Sequence, residues 1–282
     1  ALCILPLAMV PMPKGHDILF HLNRIDALAA EMEAGNIPAR IYHTVYGGVG
    51  YASGLFYGDW LLYIPALLVT AGVGVVTAYK LNIMFVTVLT LFVAYFCARS
   101  AFGDSRSALT AAVTYGFSGY FAIDTYTRAA VGEMTAFAFV PLVFLGLWSI
   151  LCGDRKKWLC LPVGLTFLLV SHVLSAFIAV LLCAVFFLCY LGRVIREPRR
   201  LLYIGYSVLA FAVLSAFCFR CLSRWRVRLS CPPTGQARPI TARLRSVRCR
   251  GGRRCSISTR GSITKRPPSA FGFPTGWGWP SS

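Results

Sequence analysis

The fold class this sequence predicts is all-α: a polytopic transmembrane helical bundle, followed by a disordered carboxy-terminal tail. Three observations predict the bundle. Hydrophobic residues fill 57% of the 282 positions and charged residues only 13%. A soluble domain carries about 25% charged residues, so this composition cannot cover a core with a water-facing surface. Apolar runs of membrane-crossing length recur along the chain, and the basic residues between them fall mainly on alternate turns. Disorder throughout, collagen, a disulfide scaffold and an ordinary cytosolic enzyme all fit poorly.

The first element, 1–12, is apolar but covers only about 18 Å as a helix. A crossing needs about 20 residues, so 1–12 reads as the rear of a truncated first span. It has no charged leading region, which argues against a signal peptide. Further spans are expected over 77–98, 107–123, 133–152, 159–171, 172–191 and 201–219, with a tight hairpin at Ser171-His172. Segment 57–76 is apolar enough to cross. If it does, Arg155-Lys156-Lys157 and the Arg193–Arg200 cluster emerge opposite Lys80. If it does not, Arg99, Arg106 and both clusters share one side, which the positive-inside rule assigns to the cytoplasm. The second arrangement makes 13–76 a long external loop with amphipathic and juxtamembrane helices, and 77–219 the bundle of a multi-pass membrane protein.

That topology collects the remaining ionisable residues on the outer side. His16, Asp17, His21, Arg24 and Arg40 lie in the first loop, Asp124, Arg128 and Glu133 in the second, and His172 at the hairpin. Ionisable groups near a bilayer interior cost about 2.5–3.5 kcal/mol each at a helix centre, so their gathering marks a candidate site. Residues 15–35 read as an amphipathic helix: Ile18, Leu22, Ile25, Ala29 and Met32 recur at spacings of three and four. Asp17, His21 and Arg24 share a second stripe. The stripe fits a solvated face, or a place for a divalent cation and a phosphate. Asp124 and Arg128, one turn apart, either neutralise each other or face the first-loop acid across a cleft. His172 fits a hydrogen-bonded turn residue as well as a ligand or base, and His43 fits loop packing.

Several motifs are missing. Tyr46-Gly47-Gly48-Val49-Gly50-Tyr51-Ala52-Ser53-Gly54 has no Gly-Lys-Ser/Thr and no preceding strand, so it is not a nucleotide P-loop. Cys218-x-x-Cys221 is half a zinc site with no second pair at the required spacing.

Gly15-His16-Asp17-Ile18-Leu19-Phe20-His21-Leu22-Asn23-Arg24-Ile25, Gly35-Asn36-Ile37-Pro38-Ala39-Arg40, Gly48-Val49-Gly50-Tyr51, Phe56-Tyr57, Tyr126-Thr127-Arg128 and Ser171-His172 together resemble a bacterial family. It comprises multi-spanning proteins of the 6-pyruvoyl-tetrahydropterin-synthase-related type, close to YfhO-like proteins and the GT-C glycosyltransferases. The resemblance covers 1–219. It implies sugar transfer from a polyprenyl-phosphate donor at the outer membrane face. Asp17 would be acceptor-activating base or ligand to a divalent cation (Mg or Mn), and Asp124 the second carboxylate. Arg24 and Arg128 would hold the donor phosphate, with His16, His21, Glu133 and His172 in support. The alternative is a non-catalytic membrane protein, transporter-like or an envelope-assembly component, that binds lipid phosphate.

Residues 220–282 are a different polymer. They hold 14 basic residues, 13 of them Arg, and no acid, against 14 basic and 10 acidic residues in 1–219. The resemblance implies that the natural chain continues after 219 with a segment like Leu-Pro-Met-Leu-Glu-Gln-Met. Codons able to encode Cys218–Trp225 spell that segment in another frame. The tail is therefore expected to be frameshifted, and no nucleic-acid partner is expected from its arginines.

Overall fold

The structure is a computed structural model and describes residues 5–9, 15–45 and 50–226. Residues 227–282, which include most of the basic tail, lie outside the described residues, as do Tyr46–Val49 of the glycine-rich turn and 1–4 and 10–14. The described residues form helices joined by turns and loops, with one isolated bridge between Tyr42 and Tyr51.

After α1 (Leu5–Met9), the expected amphipathic helix is α2, Ile18–Glu33. Ile18, Leu22, Ile25 and Ala29 are all buried, as the apolar period requires. Gly35, at φ +77, turns the chain, and the buried Glu31 carboxylate accepts hydrogen bonds from Asn36 Nδ2 at 2.8 Å and from the His43 backbone N–H at 2.6 Å. A short α3 (Ser53–Phe56) precedes α4, Tyr63–Thr70. The eight residues of α4 rise about 12 Å, less than half a hydrocarbon core. It packs against α2 and α5.

Helix α5, Val75–Phe102, ends on Gly103 in the left-handed region, whose N–H bonds the Arg99 carbonyl. Asp104 then caps α6 (Ser105–Gly116) by accepting from the Ser107 N–H at 2.7 Å. The expectation of one span over 107–123 is corrected here. The helix breaks at Phe117-Ser118, where Ser118 caps a separate α7 (Gly119–Ile123), and a π-turn follows over Asp124–Arg128. The segment 133–152 also divides, into α8 (Val131–Phe137) and α9 (Val140–Leu151). Pro141 explains the break: it has no N–H to donate, and its ring crowds the carbonyl four residues earlier.

The chain is broken at Ser171-His172 as expected, between α10 (Cys160–Ser171) and α11 (Val173–Cys189), with His172 extended at φ −153. Helix α12, Leu191–Arg196, leads into α13, Arg199–Arg226. The tail boundary at 219 is thus no break in the backbone, because α13 runs seven residues further.

Among the described residues three stretches are long and apolar enough to cross a membrane: Val75–Phe102, Val131–Leu151 (α8 with α9) and Arg199–Ala216. Helices α10 and α11 are apolar but shorter. Exposed apolar side chains run the length of α11, among them Leu174, Phe177, Leu181, Val185 and Leu188. So large an apolar surface suits hydrocarbon and not water. Close helix packing elsewhere uses glycine: a Cβ on Gly146 of α9 would stand 2.2 Å from the Leu161 backbone nitrogen of α10. Two apolar cores result, one around Ile25, Tyr42, Tyr79 and Ile83, the other around Phe139, Ile150 and Leu168, with Trp60 packed against both.

Candidate functional site

The polar residues singled out from the sequence fall into two adjoining clusters at one end of the described helices. The first is built by the polar stripe of α2. Two members of the stripe are sealed from solvent, His21 at 0% and Arg24 at 2% exposed. The Arg24 guanidinium forms a tight ion pair with Asp59 and donates to the Gly58 carbonyl at 3.2 Å and to His21 Nδ1 at 3.3 Å. Tyr42 donates its hydroxyl proton to the other Asp59 oxygen at 2.7 Å. The Arg24 guanidinium also lies over the Tyr57 ring, 4.6 Å from its centroid. Burial, and then the neighbouring Arg24 charge, hold the His21 imidazolium down to a pKa of about 3. His21 is therefore neutral at ordinary pH and, accepting at Nδ1, carries its proton on Nε2. Burial raises the Asp59 pKa, against the opposing pull of Arg24.

Arg24, expected as a phosphate ligand, is buried here with its charge matched by Asp59. His21 likewise supports Arg24 and faces no open cleft.

The second cluster sits on the π-turn. Arg128 Nη1 lies 2.6 Å from Asp124 Oδ1 and 2.9 Å from Glu133 Oε2, and Tyr120 donates a short hydrogen bond to Glu133. The π-turn ends on Ala129 in the left-handed region at φ 57, a conformation that costs a non-glycine residue energy. The turn also receives the start of the first loop. The backbone N–H groups of His16 and Asp17 donate to the carbonyls of Thr127 and Arg128, each at 3.0 Å. Gly15 permits this approach, because a Cβ there would meet the Ala129 Cβ at 2.7 Å. The Asp17 side chain is exposed at the head of α2 and makes no capping bond. His16 is exposed as well.

Tyr57 joins the two clusters. Its phenol responds to Asp17, Glu133 and Arg128 on one side and to Arg24 on the other, and burial raises its pKa. The His172 ring lies 6.3 Å from the Tyr57 ring, and His172 Nδ1 pairs with Ser175 Oγ at 2.8 Å. His172 is thus a hydrogen-bonded turn residue on the edge of the cluster. Gly132 lets Tyr57 in: a Cβ there would come within 2.9 Å of its ring.

The electrostatics of the second cluster are lopsided. Arg128 has a side chain 44% exposed, whereas the Asp124 side chain is 1% exposed. Burial and the nearby Glu133 raise the Asp124 pKa to about 6, although Arg128 opposes the shift. The one guanidinium of Arg128 is paired with two carboxylates, those of Asp124 and Glu133. No group of three His, Cys, Asp or Glu side chains is drawn together at metal-binding distance among the described residues. Glu133 and Tyr120 also form the head of an apolar groove of about 180 Å³, which continues past Val143, Phe144 and Leu147 to Leu182.

Asp59 is the functional residue that sequence reasoning missed. A signal was present, as it is the one charged residue in the apolar segment 57–76. Such a residue needs a partner of opposite charge.

What fold and site define, among the described residues, is an all-helical arrangement with three membrane-length apolar stretches and a carboxylate–arginine cluster whose Glu133 also lines an apolar groove. No family model, curated protein or solved structure matches the chain.

Proposed function

We propose that this chain is a GT-C-like membrane glycosyltransferase, multi-pass in a bacterial inner membrane, that transfers a sugar from a polyprenyl-phosphate donor at the outer face. One observation carries the reading: Glu133, which pairs with Arg128, also lines an apolar groove. That pairing suits a ligand with a charged head and a hydrocarbon tail. Arg128, half exposed, would bind the donor phosphate. Asp17, exposed and free of a capping bond, would take the proton of the acceptor hydroxyl as its oxygen attacks the anomeric carbon. The bond from that carbon to the phosphate oxygen breaks, and the lipid phosphate leaves with the electron pair. Asp124 would hold Arg128 in place as the second carboxylate.

The carboxylate excess gives this reading a further requirement. A phosphate approaching Arg128 meets the two acids already paired with it, so a divalent cation (Mg or Mn) bound near Asp17 would offset the charge. The test uses the full natural chain in native membranes with polyprenyl-phosphate sugar supplied. Asp17→Ala is expected to abolish sugar transfer with insertion unchanged, and Asp17→Asn to do the same. Undiminished transfer by a normally inserted Asp17→Ala protein would sink the enzyme reading in favour of a non-catalytic protein that only binds lipid phosphate.

A further inference from the structure

A second charged region lies at the opposite ends of the helices, where α9 meets α10 and α11 passes through α12 into α13. Residues 154–157 and 193–200 supply seven basic and two acidic side chains. The structure spends part of that charge internally. Arg200, 4% exposed, donates to the Ile150 carbonyl at 2.7 Å and the Gly153 carbonyl at 3.2 Å, closing the carboxy-terminal end of α9. Lys157 donates to the Ser100 carbonyl at 2.7 Å.

Glu197 is the hub of what remains. Arg155 approaches it to 3.2 Å and Arg200 to 3.0 Å, and Arg193 acts on it as well, one turn earlier. Three guanidinium groups thus surround one carboxylate, while Arg196 and Arg199 stand exposed beside them. The six-residue α12 carries this charge together with apolar surface. Val194 is buried and anchors it, whereas Ile195 is 71% exposed and the neighbouring Leu188 65%. Cationic heads beside outward aliphatic chains form the pattern of a segment lying at a bilayer interface.

We propose that Arg155, Arg193 and Arg196 form a binding site for the phosphate headgroup of an anionic phospholipid, with Ile195 and Leu188 against its acyl chains. Charge complementarity names the occupant. The cluster keeps two positive charges after Glu197 is counted, so a headgroup of net negative charge is held and a zwitterionic one is not. A water-soluble anion would have no use for the aliphatic surface. This site is independent of the sugar-transfer reading, because it shares no residue with that cluster.

The test is the thermal unfolding midpoint of the purified full chain in detergent, with phosphatidylglycerol, phosphatidylcholine or inorganic phosphate added. Phosphatidylglycerol is expected to raise the midpoint, and the other two to leave it unmoved. The double variant Arg193→Gln/Arg196→Gln should bind phosphatidylglycerol about 30-fold more weakly, each arginine near an anionic surface contributing ~1 kcal/mol. Both side chains are exposed, so its midpoint without lipid should match the parent. Arg106→Gln, a charge removed at the start of α6, should keep the full response. An equal response from the double variant, or an equal response to phosphatidylcholine or inorganic phosphate, would overturn the proposal. So would a loss in Arg106→Gln as large as in the double variant, since that outcome means diffuse surface charge.

Discussion

Arg24 and Arg128 use the same chemistry for different ends. Each is an arginine paired with an aspartate and bordered by a tyrosine hydroxyl, and Tyr57 touches both surroundings. Arg24 is sealed and matched one to one, with its acid held in turn by Tyr42. Arg128 is half exposed and outnumbered by carboxylates. A matched buried pair has little left to offer a ligand, whereas a half-open, unbalanced cluster gains from one. The first is a fastening for the loop, and the second is where binding or chemistry would occur.

Removing the acid from each pair should separate these roles most sharply. Asp59→Ala leaves the Arg24 charge buried without a partner, which costs about 3–5 kcal/mol. The expected outcome is a large fall in the thermal midpoint or failure to accumulate in membranes. The double variant Arg24→Met/Asp59→Leu should recover much of that loss, since it removes both charges. A mild Asp59→Ala phenotype would erase the contrast. Arg128→Gln should lower stability less than Asp59→Ala, because the Asp124 left behind, its pKa already raised to about 6, can take up a proton, and should abolish sugar transfer. A collapse of folding in Arg128→Gln would make the second cluster a fastening too.

The smallest effect is a pair of opposed pH dependences. His21 is held neutral down to about 3 from an ordinary 6.5, so its contribution is present above 6.5 and is lost as pH falls towards 3. Asp124 is raised from 3.8 to about 6, so its contribution is present below 3.8 and is lost as pH rises towards 6. Across the acid range the two oppose each other. His21→Gln should therefore flatten the acid-side fall in thermal midpoint, and Asp124→Asn should steepen it. Equal slopes in both variants and the parent would show that neither shift reaches the folding equilibrium.

The helical class and the burial of α2 were legible because Ile18, Leu22, Ile25 and Ala29 repeat at the helical period. The pairing of Asp124 with Arg128 was legible because four residues make one turn. The fate of Arg24 was not. Its partner lies 35 residues away, and a polar stripe on a helical wheel does not say whether water or another segment faces it. The breaks at Ser118 and Pro141 were legible in kind, as a capping hydroxyl and a missing N–H. Hydropathy averaged over a window hides both. Glu133 could be assigned to the second loop, but its bond to Arg128 depends on the left-handed turn at Ala129, which no residue pattern announces.

Gly58 has a consequence for handling the protein. A Cβ on that residue would fall 1.8 Å from the Val170 carbonyl oxygen of α10, so the main chain of the loop rests directly on a helix more than a hundred positions away in sequence. Trp60 adds a hydrogen bond to Ser171 at 2.8 Å beside it. Residues 13–76 cannot therefore be excised and handled as a soluble mini-domain. A probe or antibody epitope grafted at this seam would pry the two surfaces apart, whereas the outward turn at Gly35-Asn36 leaves room for one.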